Sequence, residues 1–194
     1  MTDRNPLILA SASPRRRHLM AAAGYAFEVD PSHYREPEYD GSQTPAAFAS
    51  ELAWRKALDV ARRRERGLIL GADTLCDLDG MVLGKPADRE DAERMVRVQE
   101  GRDVRVITGL CLCRAGGAEW TGGFEVSVVR FRRLTDAERR EHLDSRRWEG
   151  KAGAYGVQDH DPFVTVVRGS WSNVVGLPME RLAALLASTA GSVP

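Results

Sequence analysis

Short apolar runs separated by Gly, Pro, Ser and Asp punctuate this chain, and their spacing predicts its elements. Residues 7–10 (Leu-Ile-Leu-Ala) and 68–71 (Leu-Ile-Leu-Gly) are unbroken apolar runs, the pattern of strands buried on both faces. Ser11-Ala12-Ser13 ends the first run, and Pro14 follows where a first helical residue needs no N–H. Ser13 is therefore the predicted N-cap of a helix over 14–23, closed by Gly24. A short strand is expected at Phe27–Val29, then a surface loop over 31–42, where Pro, Gly, Tyr and charge replace the apolar pattern. Thr44-Pro45 opens a long helix to about residue 66, ended by Gly67. The second buried strand then delivers Ala72-Asp73-Thr74 at its far end, and Asp79-Gly80 between apolar segments 75–78 and 81–83 signals a hairpin turn.

Asp88 is the predicted cap of a helix to about residue 98. Residues 104–113 and 119–131 read as strands turning at Gly116-Gly117, and Thr135-Asp136-Ala137-Glu138 is a capping box that starts a helix towards 146. A strand over 164–167 and a helix over 178–187 follow. Helices and strands alternate without regular βαβ spacing, and a hairpin interrupts them. The prediction is an α/β fold with a mixed sheet, one domain over 1–194, without internal repeat or linker.

With 194 residues, 43% of them hydrophobic, the chain has enough apolar material for a sizeable core. Its 28 basic residues balance 28 acidic ones, which argues against a nucleic-acid partner, because such proteins draw most of their affinity from a basic excess. A small phosphorylated ligand remains open, since a few local cations suffice for it. The arginine clusters at Arg62–Arg64, Arg66 and Arg146-Arg147 read as solvated faces balanced by nearby acids. No stretch reaches the roughly 20 apolar residues that span a bilayer, so no membrane partner is expected. The N-terminus shows no secretory pattern, and three cysteines in apolar segments read as reduced thiols of a cytoplasmic protein. Neither these cysteines nor His18, His33, His142 and His160 have zinc-site spacing.

Four segments carry candidate chemistry. Ser11-Ala12-Ser13-Pro14-Arg15-Arg16-Arg17 is a strand-to-helix turn, where free backbone N–H groups, serine hydroxyls and arginine forks suit a phosphate. Its basic residues oppose the helix dipole, a placement easier to understand with an anion among them. Asp73, taken as lying just beyond a buried strand, can hold a divalent cation or deprotonate a water, and Thr74 can donate to a phosphate or base; a plain turn-forming Asp is the alternative. Leu83-Gly84-Lys85-Pro86 aims Lys85 as a point charge, whereas Lys56 on the long helix reads by itself as a solvated position. Residues 151–158 and 169–178 are rich in small residues that admit a flat ligand, with Tyr155 and Trp171 as aromatic faces and Gln158 as an amide; a tight loop packed on the core is the alternative.

In order, Leu9-Ala10-Ser11-Ala12-Ser13-Pro14-Arg15-Arg16, Gly71-Ala72-Asp73-Thr74, Leu83-Gly84-Lys85-Pro86, Ala152-Gly153-Ala154-Tyr155-Gly156 and Asn173-Val174-Val175-Gly176-Leu177-Pro178 resemble the Maf family of nucleotide pyrophosphatases across nearly the whole chain. The resemblance implies an inosine-triphosphatase-like mixed sheet flanked by helices, two lobes around a cleft, often in a homodimer. It implies hydrolysis of nucleoside triphosphates to monophosphate and pyrophosphate with a divalent cation, Mg2+ or Mn2+. It also implies that Asp73 is the proton acceptor, that Lys56, Lys85 and Glu36 belong to the catalytic set, and that Asp73 and Glu36 hold the metal. Ser11, Ser13, Arg15, Arg16, Thr74 and Gln158 become substrate contacts, with Arg15, Thr74 and Gln158 at the positions linked to substrate choice in the dTTP/UTP branch. Glu38 and Asp40 lie near Glu36, and Asp159-His160-Asp161-Pro162 departs from the family's usual glycine-rich turn. The Gln158 amide matches uracil or thymine, and rotated by half a turn it matches cytosine. The expected preference is dTTP and UTP first; CTP or 7-methyl-GTP preference, and a non-catalytic nucleotide-binding regulator of cell division, are the alternatives.

Overall fold

The two unbroken apolar runs become neighbouring strands. The computed structural model describes residues 5–157 and 163–190. Strand β1 (Leu7–Leu9) leads through helix α1 (Pro14–Ala22) to β2 (Phe27–Val29), which pairs parallel with β1 on its outer side. Helix α2 (Pro45–Ala61) is capped by Thr44 as predicted but ends five residues early, at Ala61, followed by the cap residue Arg62, whose N–H bonds back to Leu58 and Val60. Arg63 and Arg64 are committed to Asp30, Asp59 and Glu28 instead of extending the helix.

Strand β3 (Leu68–Leu78) corrects the sequence reading: Asp73 and Thr74 lie in the middle of one 11-residue strand, not beyond its end. The strand continues because β5 (Asp103–Arg114) pairs with it antiparallel over its length, Leu68 opposite Arg114 and Asp77 opposite Arg105. Its other edge is covered only at the two ends. β1 runs parallel to Leu68–Leu70, and β4 (Met81–Leu83) folds back on Cys76–Leu78 through the Asp79-Gly80 turn. Residues 71–75 therefore face an opening in the sheet edge between β1 and β4.

Helix α3 (Arg89–Gln99) precedes β5; β6 (Trp120–Phe131), α4 (Asp136–Asp144), β7 (Val164–Arg168), α5 (Trp171–Val175) and α6 (Met179–Ala190) follow it. All seven strands join one mixed sheet, ordered β2-β1-β3-β5-β6-β7 with β4 also on β3. Two smaller clusters lie under α2, and on the sheet face away from α2 the long central strands pass through two cores. One gathers Leu7, Leu9, Met20, Leu70, Leu110, Leu112, Leu177 and Leu182; the other gathers Leu83, Val96, Val106, Phe131, Leu143, Trp148 and Tyr155. These are the two lobes, and the opening in the edge of β3 lies between them.

Helix α2 packs flush on the opposite face. Ala49, Ala53 and Ala57 recur every four residues, all fully buried, and lie against Gly71 and Gly109. A methyl group on Gly71 would stand 2.1 Å from the Ala53 carbonyl oxygen, and one on Gly109 2.1 Å from that of Ala49. Only glycine lets the helix backbone come this close to the sheet.

Helix α5 was not predicted, since five residues are too few to show a helical period. It places fully buried Asn173 where its amide donates to the Val106 carbonyl at 3.1 Å and to Ser127 Oγ at 2.9 Å. Asn173→Ala removes those buried hydrogen bonds and is expected to cost about 2–3 kcal/mol. A lower urea midpoint at unchanged slope would show it; an unchanged midpoint would mean the amide adds nothing.

Candidate active site

The opening between β1 and β4 is the mouth of a cleft of about 500 Å³, a size suited to a small-molecule ligand. Alternation along β3 sends Asp73 to the α2 face and Thr74 and Cys76 to the other. Lys56 stands on α2 beside Ala53 and Ala57, so the flush packing of the helix fixes its position. Its Nζ lies 2.5 Å from Asp73 Oδ1 and 2.8 Å from Glu36 Oε1. The lysine side chain is only 12% exposed, so the reading of Lys56 as a solvated position is corrected. Glu36 arrives on the predicted surface loop, which is pinned on both sides. Asp59 accepts from the Ser32 hydroxyl and the His33 N–H, and Tyr39 packs on Phe48 while donating to the Gln43 carbonyl.

From the second lobe comes Lys85, following β4. The Gly84 carbonyl accepts from the Gly153 N–H at 3.0 Å, which ties this turn to a single 3₁₀ turn at Ala152–Ala154. Gly153 has φ 68° and is hemmed in by Cys76, Gln99 and Tyr155, so no side chain fits there.

At the Ser11–Arg17 turn the structure changes one reading. Ser13 is the N-cap, accepting from the Arg16 N–H at 3.5 Å. Arg16 points inward: Nε donates to the Gly176 carbonyl at 2.8 Å, Nη1 to the Ala72 carbonyl at 2.8 Å and to Ser11 Oγ at 3.1 Å, and Nη2 to Thr74 Oγ1 at 3.1 Å. An anion is not needed to explain this arginine; it bolts α1, β3 and the end of α5 together at the floor of the cleft. Arg15 instead spans the cleft, with Nη2 donating to the Gly150 carbonyl at 3.1 Å. The Thr74 hydroxyl also meets that of Thr108 at 2.9 Å.

Asp73, Glu36, Lys56, Lys85, Ser11, Ser13, Arg15, Arg16 and Thr74 all line this one cleft. Gln158 lies outside the described residues. Trp171 is half exposed and is not among the lining residues, so it supplies no aromatic face here. Sequence reasoning gave no individual role to Cys76, Val106 and Val174, which form an apolar wall beside Tyr155. For Cys76 the signal was available, because residues two apart on a strand share a face with Thr74. Burial pushes its thiol up to about 12, so it offers an uncharged surface and no nucleophile.

The two carboxyl groups are driven apart. Burial pushes Asp73 above its ordinary value, with Glu36 adding to the push, against the pull of Lys56 and Arg16. Burial also acts upward on Glu36, but Lys56, joined by Lys85 and Arg16, holds that group below its ordinary value. One carboxylate is kept ionised and the other is poised to take a proton, the usual basis of acid–base assignments.

Among the described residues no three His, Cys, Asp or Glu side chains converge into a set able to hold a metal alone. Asp73 and Glu36, joined through one ammonium, fit a hard cation that completes its shell with substrate phosphates and water, the usual arrangement for Mg2+.

Residues 6–189 match the sequence profile of the family described as Maf-like protein. The chain belongs to the Maf-like protein family. Among Maf-like relatives, a dTTP/UTP pyrophosphatase of Rhodopirellula baltica is 49% identical over 186 residues, covering 93% of this chain and 80% of that protein. One of Ruminiclostridium cellulolyticum, with the same description, is 40% identical over 181 residues, covering 93% and 94%. The fold matches a HAM1 protein from Coxiella burnetii with a TM-score of 0.55 at 13% identity, over 95% of this chain and 99% of that one. The Maf-like chain thus has the expected mixed sheet with two lobes around a cleft. Among its described residues no helix is long and apolar enough to cross a membrane.

Proposed function

We propose that the cleft hydrolyses nucleoside triphosphates between the α- and β-phosphates, with dTTP and UTP as preferred substrates. The observation that carries this reading is the Asp73–Lys56–Glu36 cluster at the opening in the edge of β3, facing the Ser11–Arg15 turn. The relatives' shared description as dTTP/UTP pyrophosphatases supports the substrate.

The Ser11–Ser13 turn and Arg15 receive the triphosphate, and Lys56 and Lys85 offset its charge. Asp73 accepts the proton of a water whose oxygen attacks the α-phosphorus. The bond from that phosphorus to the bridging oxygen breaks, and pyrophosphate leaves the nucleoside monophosphate. Phosphoryl transfer asks little beyond positioning and charge stabilisation, which these residues supply. A Mg2+ or Mn2+ ion held by Asp73 and Glu36 together with the phosphates would supply Lewis-acid polarisation. In this reading Thr74 and Gln158 are the residues that choose the base, and the Cys76–Val106–Val174 wall takes its apolar face. The same reading places the protein in the cytoplasm, one domain over 1–194, and as a homodimer. Exposed Trp120 and Phe124, within the part of β6 that β7 leaves unpaired, are apolar surface in support of a homodimer.

A panel of triphosphates at equal concentration, with pyrophosphate and monophosphate both quantified, tests the reaction and its preference. dTTP and UTP are expected to exceed CTP and the purine nucleotides in kcat/KM by about tenfold or more, the scale of one net hydrogen bond. Release of orthophosphate alone would refute the α–β cleavage, and 7-methyl-GTP as the best substrate would refute the pyrimidine preference.

A further inference from the structure

We infer that the Lys56 ammonium is a gate against free metal: it holds the Asp73–Glu36 pair closed to a divalent cation until a nucleotide arrives, so that cation and triphosphate enter together. The inference rests on the proposed nucleotide reading and concerns the state before substrate binds.

Lys56 Nζ lies within hydrogen-bond distance of both carboxylates, at 2.5 Å from Asp73 and 2.8 Å from Glu36. A cation bridging those oxygens would occupy the space the ammonium fills. The lysine cannot drift away with its backbone, because α2 is seated on Gly71 and Gly109 with no room for even a methyl group between them. Its four-carbon stem must swing instead, and it needs a new anion to swing to. The rest of the cleft offers none in excess. Its described lining carries Arg15, Arg16, Lys56, Lys85 and Lys151 against Glu36, Asp73 and Glu149, five cations facing three carboxylates. Such a cleft repels a bare divalent cation and attracts a polyanion.

A triphosphate reverses both conditions. Its oxygens give Lys56 a stronger partner than either carboxylate, and they supply the ligands that two carboxylates leave missing around a hard cation. The released Asp73 and Glu36 oxygens then face the incoming metal. Lys56 thereby acts first as a placeholder and afterwards as a phosphate cation, two roles for one side chain.

The test is Mn2+ uptake, read by loss of the free-ion electron paramagnetic resonance signal, with thermal melting alongside. Nucleotide-free wild type is expected to leave the signal unchanged and its Tm unmoved by Mn2+. Lys56→Gln, freed of the ammonium, is expected to bind Mn2+ at least about tenfold more tightly than wild type, with a Tm that rises as Mn2+ is added. Lys56→Met serves as the second variant, keeping a long stem without a charge, and circular dichroism checks both folds. Wild type with an α,β-methylene nucleoside triphosphate is expected to take up one Mn2+ beyond that bound by the analogue alone in solution. Equal uptake by nucleotide-free wild type and both variants would overturn the gate. No gain in folded variants, with uptake by analogue-bound wild type, would overturn the gate and leave the metal-dependent reading intact. No Mn2+ uptake even with analogue bound would overturn the metal reading and the gate with it.

Discussion

Asp73→Asn is expected to lower turnover by about 10²–10⁴-fold, the contribution typical of a positioned general base, while unfolding at the same temperature as wild type or higher. The two halves of this expectation have one cause. Asp73 is almost wholly buried, and desolvation raises its pKa despite the ammonium at 2.5 Å. A carboxyl group whose folded pKa lies above its unfolded one favours folding fully only below the unfolded value. That contribution is lost as pH rises through the folded value, so the ionised group is a burden on the nucleotide-free protein at neutral pH. Asparagine keeps the shape and removes the charge, leaving Lys56 to pair with Glu36 alone. The gain over wild type is therefore expected to vanish at low pH and to grow as pH rises. Melting curves across that range, beside pyrophosphate release, read both effects. A folded variant with near-normal turnover would remove Asp73 from the mechanism. One melting well below wild type at neutral pH would show that its charge stabilises the fold instead.

Gly71→Ala is expected to cost about 3 kcal/mol or more, at or above the upper end for overpacking, and to cut activity with it. The new methyl would meet the Ala53 carbonyl oxygen at 2.1 Å, the Ala57 N at 2.8 Å and the Ala57 Cβ at 2.9 Å. These are mostly main-chain atoms, and relief requires the whole helix to lift from the sheet. Lys56 lies between Ala53 and Ala57, so lifting α2 draws its ammonium away from Asp73. Gly109→Ala is expected to behave alike, since its methyl would lie 2.1 Å from the Ala49 carbonyl oxygen. Gly123→Ala is the control: there the neighbour is the end of the Arg181 side chain, which can swing aside. Urea midpoints of the three variants, compared with their turnover, test the claim. Gly71→Ala as stable and active as Gly123→Ala would mean that α2 does not need to lie flush for Lys56 to be placed.

Some of the site was legible from residue order alone. The Ser13-Pro14 start of α1, the Thr44 cap of α2, the Thr135–Glu138 capping box and the Asp79-Gly80 hairpin all use hydrogen bonds that close within four residues, and all appear as read. The chemistry of the motifs was likewise visible in residue type, because a carboxylate, an ammonium or a guanidinium is defined before the chain folds. Ends of elements were less legible. α2 stops where Arg63 and Arg64 find acids from a distant loop, and α5 forms where Asn173 can bury its amide in the sheet.

What the sequence by itself determined was the inventory: an α/β chain, its caps and turns, and the side chains able to handle phosphate. Only the tertiary structure decided their roles. It set Asp73 in mid-strand beside an opening left by two short neighbours, tied Arg16 to the Ala72 and Gly176 carbonyls at the floor of the cleft, and made Lys56 the partner of two carboxylates. The physical reason is range. A cap or a turn is settled by bonds between near neighbours, whereas the partner of a charge is settled by which distant backbone can approach, here through Gly71 and Gly109, on neighbouring strands and 38 positions apart in sequence, meeting a stripe of alanines on α2.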